Sequence, residues 1–228
     1  MNVTLYGGNK EDYWLEREND KSVAWRVGDS TTGMMLYGYK NLNEDDIAFF
    51  KSLRYMQTIS FDGLPTIAAY HGSHSRTGNK LKLKDDNLHI LLEDTGESVV
   101  LCGHTHKRKE LVMEGRVLLN PGSVGLPLDS KGLSQFLILS GENGKWSYEF
   151  VDMAYDIDAA IQELHEEKLF AVAPCWTRTT EYVLRHGDVS HGTVLSRAMQ
   201  LLHEDTGKWC WPDIPEKYWE KAVAELIG

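Results

Sequence analysis

Short runs of apolar residues, each ended by glycine or polar residues, recur through the first half of the chain. One run occupies residues 65–70 before His71-Gly72, and another occupies residues 98–102 before Gly103-His104. Apolar runs of this length, bounded by turn-forming residues, are typical of buried strands. The pattern therefore predicts strands near residues 3–6, 56–61, 65–70, 98–102 and 117–119.

Helical and hairpin patterns alternate with these strands. Asn43 followed by Asp46 is typical of a capped helix start with an acidic first turn, and the apolar spacing beyond it predicts a helix over 44–53. The pattern also predicts a short helix at 86–92 and a hairpin formed by 135–139 and 146–151. This order of elements predicts an α/β fold, a layered β-sandwich flanked by helices.

The character of the chain changes at Asp156, after which the patterns are helical. They predict helices near 158–164, 176–186, 191–204 and 215–227. We therefore divide the chain into an α/β domain over 1–155 and a helical C-terminal extension over 156–228, packed on the same domain.

The extension is rich in aromatic side chains, namely Trp176, Tyr182, Trp209, Trp211, Tyr218 and Trp219. These rings could stack on a substrate base or form a dimer surface. Packing of the helices onto the sheet is the more ordinary role, and we favour it. His186 and His191, each followed by glycine, are interpreted as capping or turn residues.

Two histidines, His104 and His106, follow the strand at 98–102. In an extended loop, residues two apart project to the same side, so both imidazoles could face one metal ion. His71 ends another predicted strand, and Asn9 follows the first one. Because ligands bind at the carboxyl ends of strands in open α/β sheets, we expect these side chains to meet there.

Four short motifs occur in the order typical of one known family: Gly8-Asn9, His71-Gly72, Gly103-His104-Thr105-His106 and Asn120-Pro121-Gly122-Ser123. In these motifs the chain resembles the calcineurin-like metallophosphoesterase superfamily. Within it, the chain is most similar to YfcE-like phosphodiesterases and asymmetric diadenosine tetraphosphate hydrolases. The resemblance covers about residues 1–155.

The resemblance implies roles for individual residues. Asn9, His71 and His104 would correspond to ligands of the second metal position, and His106 to a ligand of the first. The implied reaction is hydrolysis of a phosphodiester or nucleotide pyrophosphate by a metal-bound hydroxide. Lys10 stands where many relatives have a histidine that protonates the leaving group, so leaving groups of low pKa are expected.

Residues 73–80 follow His71 as a polar loop. Arg76 and Lys10 are candidates for binding a substrate phosphate, although such cations are more often solvated surface residues. His74 is the candidate catalytic residue, since it could touch a phosphate or leaving group. The alternative is an exposed loop histidine.

The family's opening Asp-x-His and Gly-Asp motifs have no counterpart here, so the resemblance implies an N-terminally truncated fold. One amide and three neutral imidazoles carry no negative charge, which is too little for tight binding of two divalent ions. We expect Mn, Zn or Fe, with two ions in a complete site and one or none here. Asp29, in a Gly-Asp pair, is interpreted as a solvated loop carboxylate rather than a ligand.

Two functional classes follow from these observations. The first is a metal-dependent phosphoesterase acting on a phosphoester or nucleotide substrate. The second is a catalytically impaired remnant that binds a metal or nucleotide or works by association. A weaker third hypothesis is a hydrolase with one metal ion on three histidines, His71, His104 and His106.

Composition and charge limit the classes of binding partner and the compartment that we expect. The chain has 228 residues, 42% of them hydrophobic, and a net charge of −10, so binding to a nucleic-acid backbone is not expected. Three scattered cysteines indicate neither a disulfide framework nor a thiolate zinc site, and with no membrane span or signal peptide in the sequence we expect a cytoplasmic protein. Exposed sheet edges in a truncated fold predict self-association.

Overall fold

The computed structural model describes residues 3–22, 24–72, 92 and 95–228. Its strands are β1 (Met56–Ile59), β2 (Ile67–Tyr70), β3 (Val99–Leu101), β4 (Arg108–Met113), β5 (Arg116–Pro121), β6 (Ser134–Glu142) and β7 (Lys145–Met153). Its helices, numbered over the described residues, are α1 (Asn9–Asn19), α2 (Gly33–Lys40), α3 (Glu44–Ser52), α4 (Ile157–Glu166), α5 (Leu169–Val172), α6 (Pro174–His186), α7 (His191–Thr206) and α8 (Glu216–Leu226).

The central layer is a five-stranded sheet in the order β1-β2-β3-β5-β4. Strands β2, β3 and β5 are parallel, with Ile67 opposite Val99 and Val99 opposite Val117. All four residues of β2 are buried, as expected for a parallel strand covered on both faces. Because the three strands run in the same direction, their carboxyl ends open on one edge of the sheet, and the candidate site lies there.

Two hairpins flank the parallel strands. Strands β4 and β5 are joined at Glu114-Gly115, and β6 and β7 pair separately through Asn143-Gly144. In both turns the two residues have positive φ, at 52° and 77° in the first and 51° and 75° in the second. Such turns match the twist of the strands they join. The hairpin predicted for 135–139 and 146–151 is confirmed.

The C-terminal helices have their own core, which includes Cys175, Val194, Ala198, Tyr218 and Trp219. The segment before α2 packs against this core: the Trp219 indole donates a hydrogen bond to Thr31 Oγ1 at 2.9 Å. The Ser30 hydroxyl and backbone amide both donate to the Glu216 carboxylate. The segment before α2 is therefore held in place by hydrogen bonds to α8, one of the C-terminal helices.

The α/β architecture and the C-terminal helices are confirmed, but several boundaries and elements differ. Strand β1 ends at Ile59 rather than at 61, and the opening strand is reduced to a single bridge between Tyr6 and Arg54. Helices α1 and α2 were not predicted. The helix predicted at 86–92 lies outside the described residues except for Leu92.

The prediction that the aromatic residues pack the helices onto the sheet was wrong. Tyr218 and Trp219 are fully buried, but within the core of the C-terminal helices. Trp209 and Trp211 are 59% and 49% exposed, because they lie on the loop between α7 and α8 rather than on a helix face. None of the described helices is long and apolar enough to cross a membrane.

Candidate metal centre and adjoining cleft

Three parallel strands deliver polar residues to one edge of the sheet. His71 follows β2, Gly103-His104 follows β3, and Asn120 lies near the end of β5. The Gly103 amide donates to the His71 carbonyl at 2.8 Å, which ties the first two strand ends together. Asn9 reaches the same place from the start of α1. The expected meeting of polar residues at this edge is thus formed by Asn9, His71 and His104.

The donor atoms of these three side chains are spaced like neighbouring ligands of a metal ion. His71 Nε2 lies 3.1 Å from Asn9 Oδ1 and 3.4 Å from His104 Nδ1. Ligands at 2.0–2.1 Å from a tetrahedral ion are separated by roughly 3.3 Å, so the spacing suits a single ion. One oxygen and two imidazole nitrogens also match the donor preferences of Zn and Mn.

Two glycines make room for this arrangement. A Cβ on Gly72 would lie 2.6 Å from His104 Cβ, closer than such atoms can approach. A Cβ on Gly8 would lie 3.0 Å from His71 Cε1. A glycine is therefore required sterically at position 72, and a side chain at position 8 would press against the His71 ring.

The backbone around the histidine pair is not extended, contrary to the sequence prediction. His104 and His106 both have left-handed φ, at 67° and 58°, and the Thr105 amide donates to the Gly103 carbonyl at 2.8 Å. A two-residue hydrogen bond around a positive φ fits a γ-turn, a strained conformation that surrounding contacts must hold.

Buried Asn120 supplies those contacts. Its Nδ2 donates to the Gly103 carbonyl at 2.8 Å and to Thr105 Oγ1 at 3.1 Å, while its Oδ1 accepts from the Gly122 amide. Asn120 is fully buried, so these bonds have no competition from solvent. The asparagine of the fourth motif thus fixes the loop that carries His104.

His106 is held separately from the other two imidazoles. Its Nδ1 lies 2.9 Å from the Leu126 carbonyl and therefore donates to it, and its own carbonyl accepts from the Leu128 amide. This leaves Nε2 as the nitrogen able to bind a metal. Across the described part of the chain, no three His, Cys, Asp or Glu side chains converge as a metal-binding group. The three-histidine cluster of the single-metal hypothesis is therefore not formed there.

The imidazole of His71 is held neutral. Its pKa is lowered to about 4, mainly by burial, with smaller contributions from the neighbouring His104 and His106 and an opposing one from Asp12. An imidazole binds metal only in its neutral form. The site thus presents His71 in the required state at neutral pH.

A family model of the calcineurin-like phosphoesterase superfamily domain matches residues 19–144 of this chain, more than half of its 228 residues. The chain belongs to this superfamily. Members are hydrolases that typically depend on divalent metal ions.

One curated relative of the superfamily matches part of the chain. The probable metallophosphoesterase YsnB of Bacillus subtilis is 34% identical over 68 residues, which are 30% of this chain and 40% of that protein. The match therefore spans less than half of the relative's length.

Two solved structures are similar to the fold. The hypothetical protein PH1004 from Pyrococcus horikoshii has a TM-score of 0.63 at 14% identity, over 83% of this chain and 75% of that one. A metallophosphoesterase from Sphaerobacter thermophilus has a TM-score of 0.53 at 17% identity, over 73% of this chain and 72% of that one. At these identities the likeness concerns the fold alone.

The carboxylates considered as substitute ligands, Glu11, Asp12 and Asp29, are engaged in other hydrogen bonds. Glu11 accepts a hydrogen bond from the Gly8 amide at 2.7 Å, and Asp12 accepts one from the Tyr55 hydroxyl. Asp29 accepts from the amides of Thr31 and Thr32 at 2.9 and 2.8 Å. Asp29 is thus a half-buried turn-forming residue rather than the solvated carboxylate expected from the sequence.

Lys10 lies beside the metal-centre candidates, as the sequence suggested. Its ammonium is 4.9 Å from the Trp176 ring centroid and 5.9 Å from that of Tyr13. Although the residue is exposed overall, the protein surrounding its amine lowers the Lys10 pKa by desolvation, and Glu11 opposes the shift. Attraction between the ammonium and the ring faces holds this positive charge at the site.

A cleft of about 910 Å³ extends from the metal-centre candidates toward the C-terminal helices. We call it the interhelical cleft; Asn9, Lys10 and His104 line one end, and Trp176, Thr193 and Trp211 line other parts of its wall. The C-terminal extension thus contributes directly to the surroundings of the site.

His191 is a residue whose role the sequence did not reveal. The capping interpretation was wrong for this residue: Ser190 is the N-cap of α7, and His191 is the first helical residue. The His191 ring lies inside the protein, 2.8 Å from Thr180 Oγ1 and tilted against Trp176 at 4.3 Å between centroids. Burial lowers its pKa to about 3. Its ring contacts Trp176 and Thr180, which lie on α6. No local sequence pattern specifies such a contact between two helices.

Two predicted site residues, His74 and Arg76, lie outside the described residues. Cys102 is buried beside the site, and burial raises its pKa to about 12. This agrees with its interpretation as a small apolar residue rather than a nucleophile.

Proposed function

We propose that this protein is a metal-dependent phosphoesterase that hydrolyses a phosphodiester or a nucleotide pyrophosphate bond. Superfamily membership supports the reaction class. The observation that carries the proposal for this chain is the spacing of His71 Nε2 from Asn9 Oδ1 and His104 Nδ1, at 3.1 and 3.4 Å. That spacing suits one divalent ion, with Mn, Zn or Fe as the candidates.

Asn9, His71 and His104 would hold this ion, and His106 would contribute at a neighbouring position. A bound divalent ion supplies a Lewis acid that neutralises phosphate charge and activates water. The protein's own part is to hold His71 neutral by burial and to fix His104 through the Asn120 hydrogen bonds. These features preorganise the donors before any ion arrives.

Two further features favour an anionic substrate at this place. Helix α1 begins at Asn9, so its amino end, which carries partial positive charge, faces the site. Lys10 adds a full positive charge near a phosphate bound there. Because lysine is a weak acid, we expect substrates whose leaving groups need no proton, such as pyrophosphates or activated esters.

The test is hydrolysis of bis-p-nitrophenyl phosphate and diadenosine tetraphosphate by protein loaded in turn with Mn²⁺, Zn²⁺ and Fe²⁺. We expect metal-dependent turnover that His104→Ala reduces by at least about a hundredfold, since loss of a ligand or its support costs metal affinity and activity. Val112→Ala, an exposed position on β4, is the control. No turnover with any metal, while metal binds to His71 and His104, would contradict the proposal.

The second candidate is a catalytically impaired remnant that binds one metal or a nucleotide. The observation that favours it is that Glu11, Asp12 and Asp29 are all engaged in other hydrogen bonds. Elemental analysis separates the two: bound metal without hydrolysis of either substrate supports the remnant.

A cytoplasmic location and self-association complete the proposal. The free cysteines Cys102, Cys175 and Cys210 support a reducing compartment. Light scattering of the purified chain tests association, and a single species with the mass of one chain would contradict it.

A further inference from the structure

The interhelical cleft is larger than a phosphate group needs. Its volume of about 910 Å³ lies within the range of sites for small organic molecules, about 300 to 1,000 Å³. The metal-centre candidates and Lys10 occupy one part of its wall, while α7 and the loop before α8 form other parts. The remaining space can therefore hold the organic part of a phosphoester.

We propose that this cleft binds a nucleoside phosphate, with its phosphate near Lys10 and its base against Trp211. This assignment deepens the proposed phosphoesterase function and rests on it for the position of the phosphate.

The charged end suits an anion. Lys10 and Lys107 both line the cleft, in a chain whose net charge is −10. Lys107 is paired with Asp129 at 3.1 Å, whereas Lys10 has no salt bridge within the described residues and faces aromatic rings instead. A positive charge held in this way is available to a phosphate oxygen.

Hydroxyl groups line the middle of the cleft. Ser190, Thr193 and Ser196 recur every three residues and so lie on one side of the first turns of α7. Ser190 Oγ and Thr193 Oγ1 are 2.9 Å apart. Because a hydroxyl both donates and accepts, this row complements a sugar, which presents the same groups.

Trp211 provides the aromatic surface. It is 49% exposed, and it makes no ring contact within the part of the chain that the structure describes. Trp176, by contrast, already packs against His191 at 4.3 Å and against the Lys10 ammonium at 4.9 Å. Trp176 therefore forms a fixed wall, and Trp211 is the ring that a flat base can stack on.

The loop that carries Trp211 also offers a matched control. Trp209, two residues earlier, is 59% exposed but does not line the cleft, and it stacks on His203 with centroids 4.5 Å apart. Replacing either tryptophan changes the exposed aromatic surface of the same loop. Only Trp211 should affect a ligand in the cleft.

The test is isothermal titration of the full chain with AMP, ribose 5-phosphate and 4-nitrophenyl phosphate, in EDTA and again in Mn²⁺. We expect AMP to bind at least about tenfold more tightly than ribose 5-phosphate, because base stacking on an aromatic residue is worth a factor of this order. Trp211→Ala should remove that difference and leave ribose 5-phosphate binding unchanged. Trp211→Phe should keep most of it, and Trp209→Ala all of it.

Three results would overturn the assignment: equal binding of AMP and ribose 5-phosphate, equal effects of Trp211→Ala and Trp209→Ala, or binding of 4-nitrophenyl phosphate as tight as that of AMP. Tight binding of 4-nitrophenyl phosphate would indicate that the ligand of the cleft is an aryl phosphoester. Failure of the phosphoesterase proposal is distinguishable, since it would leave Trp211-dependent AMP binding without turnover. Hydrolysis without any base preference would instead support the phosphoesterase function and contradict the assignment of a nucleoside to the cleft.

Discussion

Gly72 and His104 lie so close that a Cβ on Gly72 would be 2.6 Å from His104 Cβ. The two residues follow different strands, β2 and β3, and the contact brings His104 up to His71. The steric requirement comes from the approach of a second strand end rather than from the glycine's own backbone. The histidine position can therefore be tested without changing a histidine.

Gly72→Ala should displace His104 and lower metal affinity by about tenfold or more, the effect typical of disturbing a ligand's support. The measurement is a calorimetric titration of the metal-free protein with Zn²⁺. Gly96→Ala is the control, since a Cβ at Gly96 meets no atom within 4 Å. Equal affinities for the two variants would show that His104 does not depend on this contact.

Asn120→Ala should destabilise the protein by about 2 kcal/mol, because it leaves the buried groups of the Gly103 loop without their donor. Urea unfolding measures the free energy change. Asn120→Asp keeps the acceptor for the Gly122 amide but cannot donate to the Gly103 carbonyl. If Asn120→Asp were as stable as the wild type, the donor role assigned to Asn120 would be wrong.

Acid should destabilise the protein through His191. Burial lowers its pKa from 6.5 to about 3, with smaller contributions in the same direction from Lys10 and His106 and an opposing one from the Trp176 carbonyl. Below pH 6.5 the unfolded chain binds a proton that the folded chain does not, so stability falls as the pH drops toward 3. From pH 7 to pH 5 the loss from this one group is about 2 kcal/mol.

His191→Gln can still hydrogen-bond to Thr180 but does not titrate. We expect urea unfolding at pH 7 and pH 5 to show a smaller loss for this variant than for the wild type, by about 2 kcal/mol. Part of the acid sensitivity should remain, because burial lowers the pKa of His71 in the same direction. An identical loss in both proteins would mean that His191 is accessible to protons in the folded state.

Local sequence patterns predicted the strands and turns that a few neighbouring residues are enough to specify. The apolar run that became β2 is buried throughout, and those that became β3 and β5 are largely buried. The turns at Glu114-Gly115 and Asn143-Gly144 need the positive φ that their residues tolerate. These features depend on a few neighbouring residues. The strand ends that carry His71 and His104 were found for the same reason.

The parts that could not be predicted depend on distant contacts. Helix α2 contains Gly33 and Gly38, which disfavour a helix, yet Gly33 packs against the Val172 carbonyl and Gly38 against the Trp14 ring. The left-handed backbone of His104 depends on Asn120, whose bonds form only when β5 pairs with β3. Without knowledge of those contacts, an extended loop was the reasonable expectation.

Trp219→Phe should destabilise the whole chain, because it removes the indole that donates to Thr31 Oγ1 in a fully buried position. The expected cost is about 2 to 4 kcal/mol, from the unpaired hydroxyl and the space left by the smaller ring. Since this bond joins the segment before α2 to α8, the unfolding transitions followed by far-ultraviolet circular dichroism and by hydrogen exchange at residues 30–35 should shift together. The control is Trp209→Phe, at an exposed position, which should change stability by less than about 0.5 kcal/mol. Exchange at residues 30–35 that stays unchanged in Trp219→Phe would show that the N-terminal segment folds without the C-terminal helices.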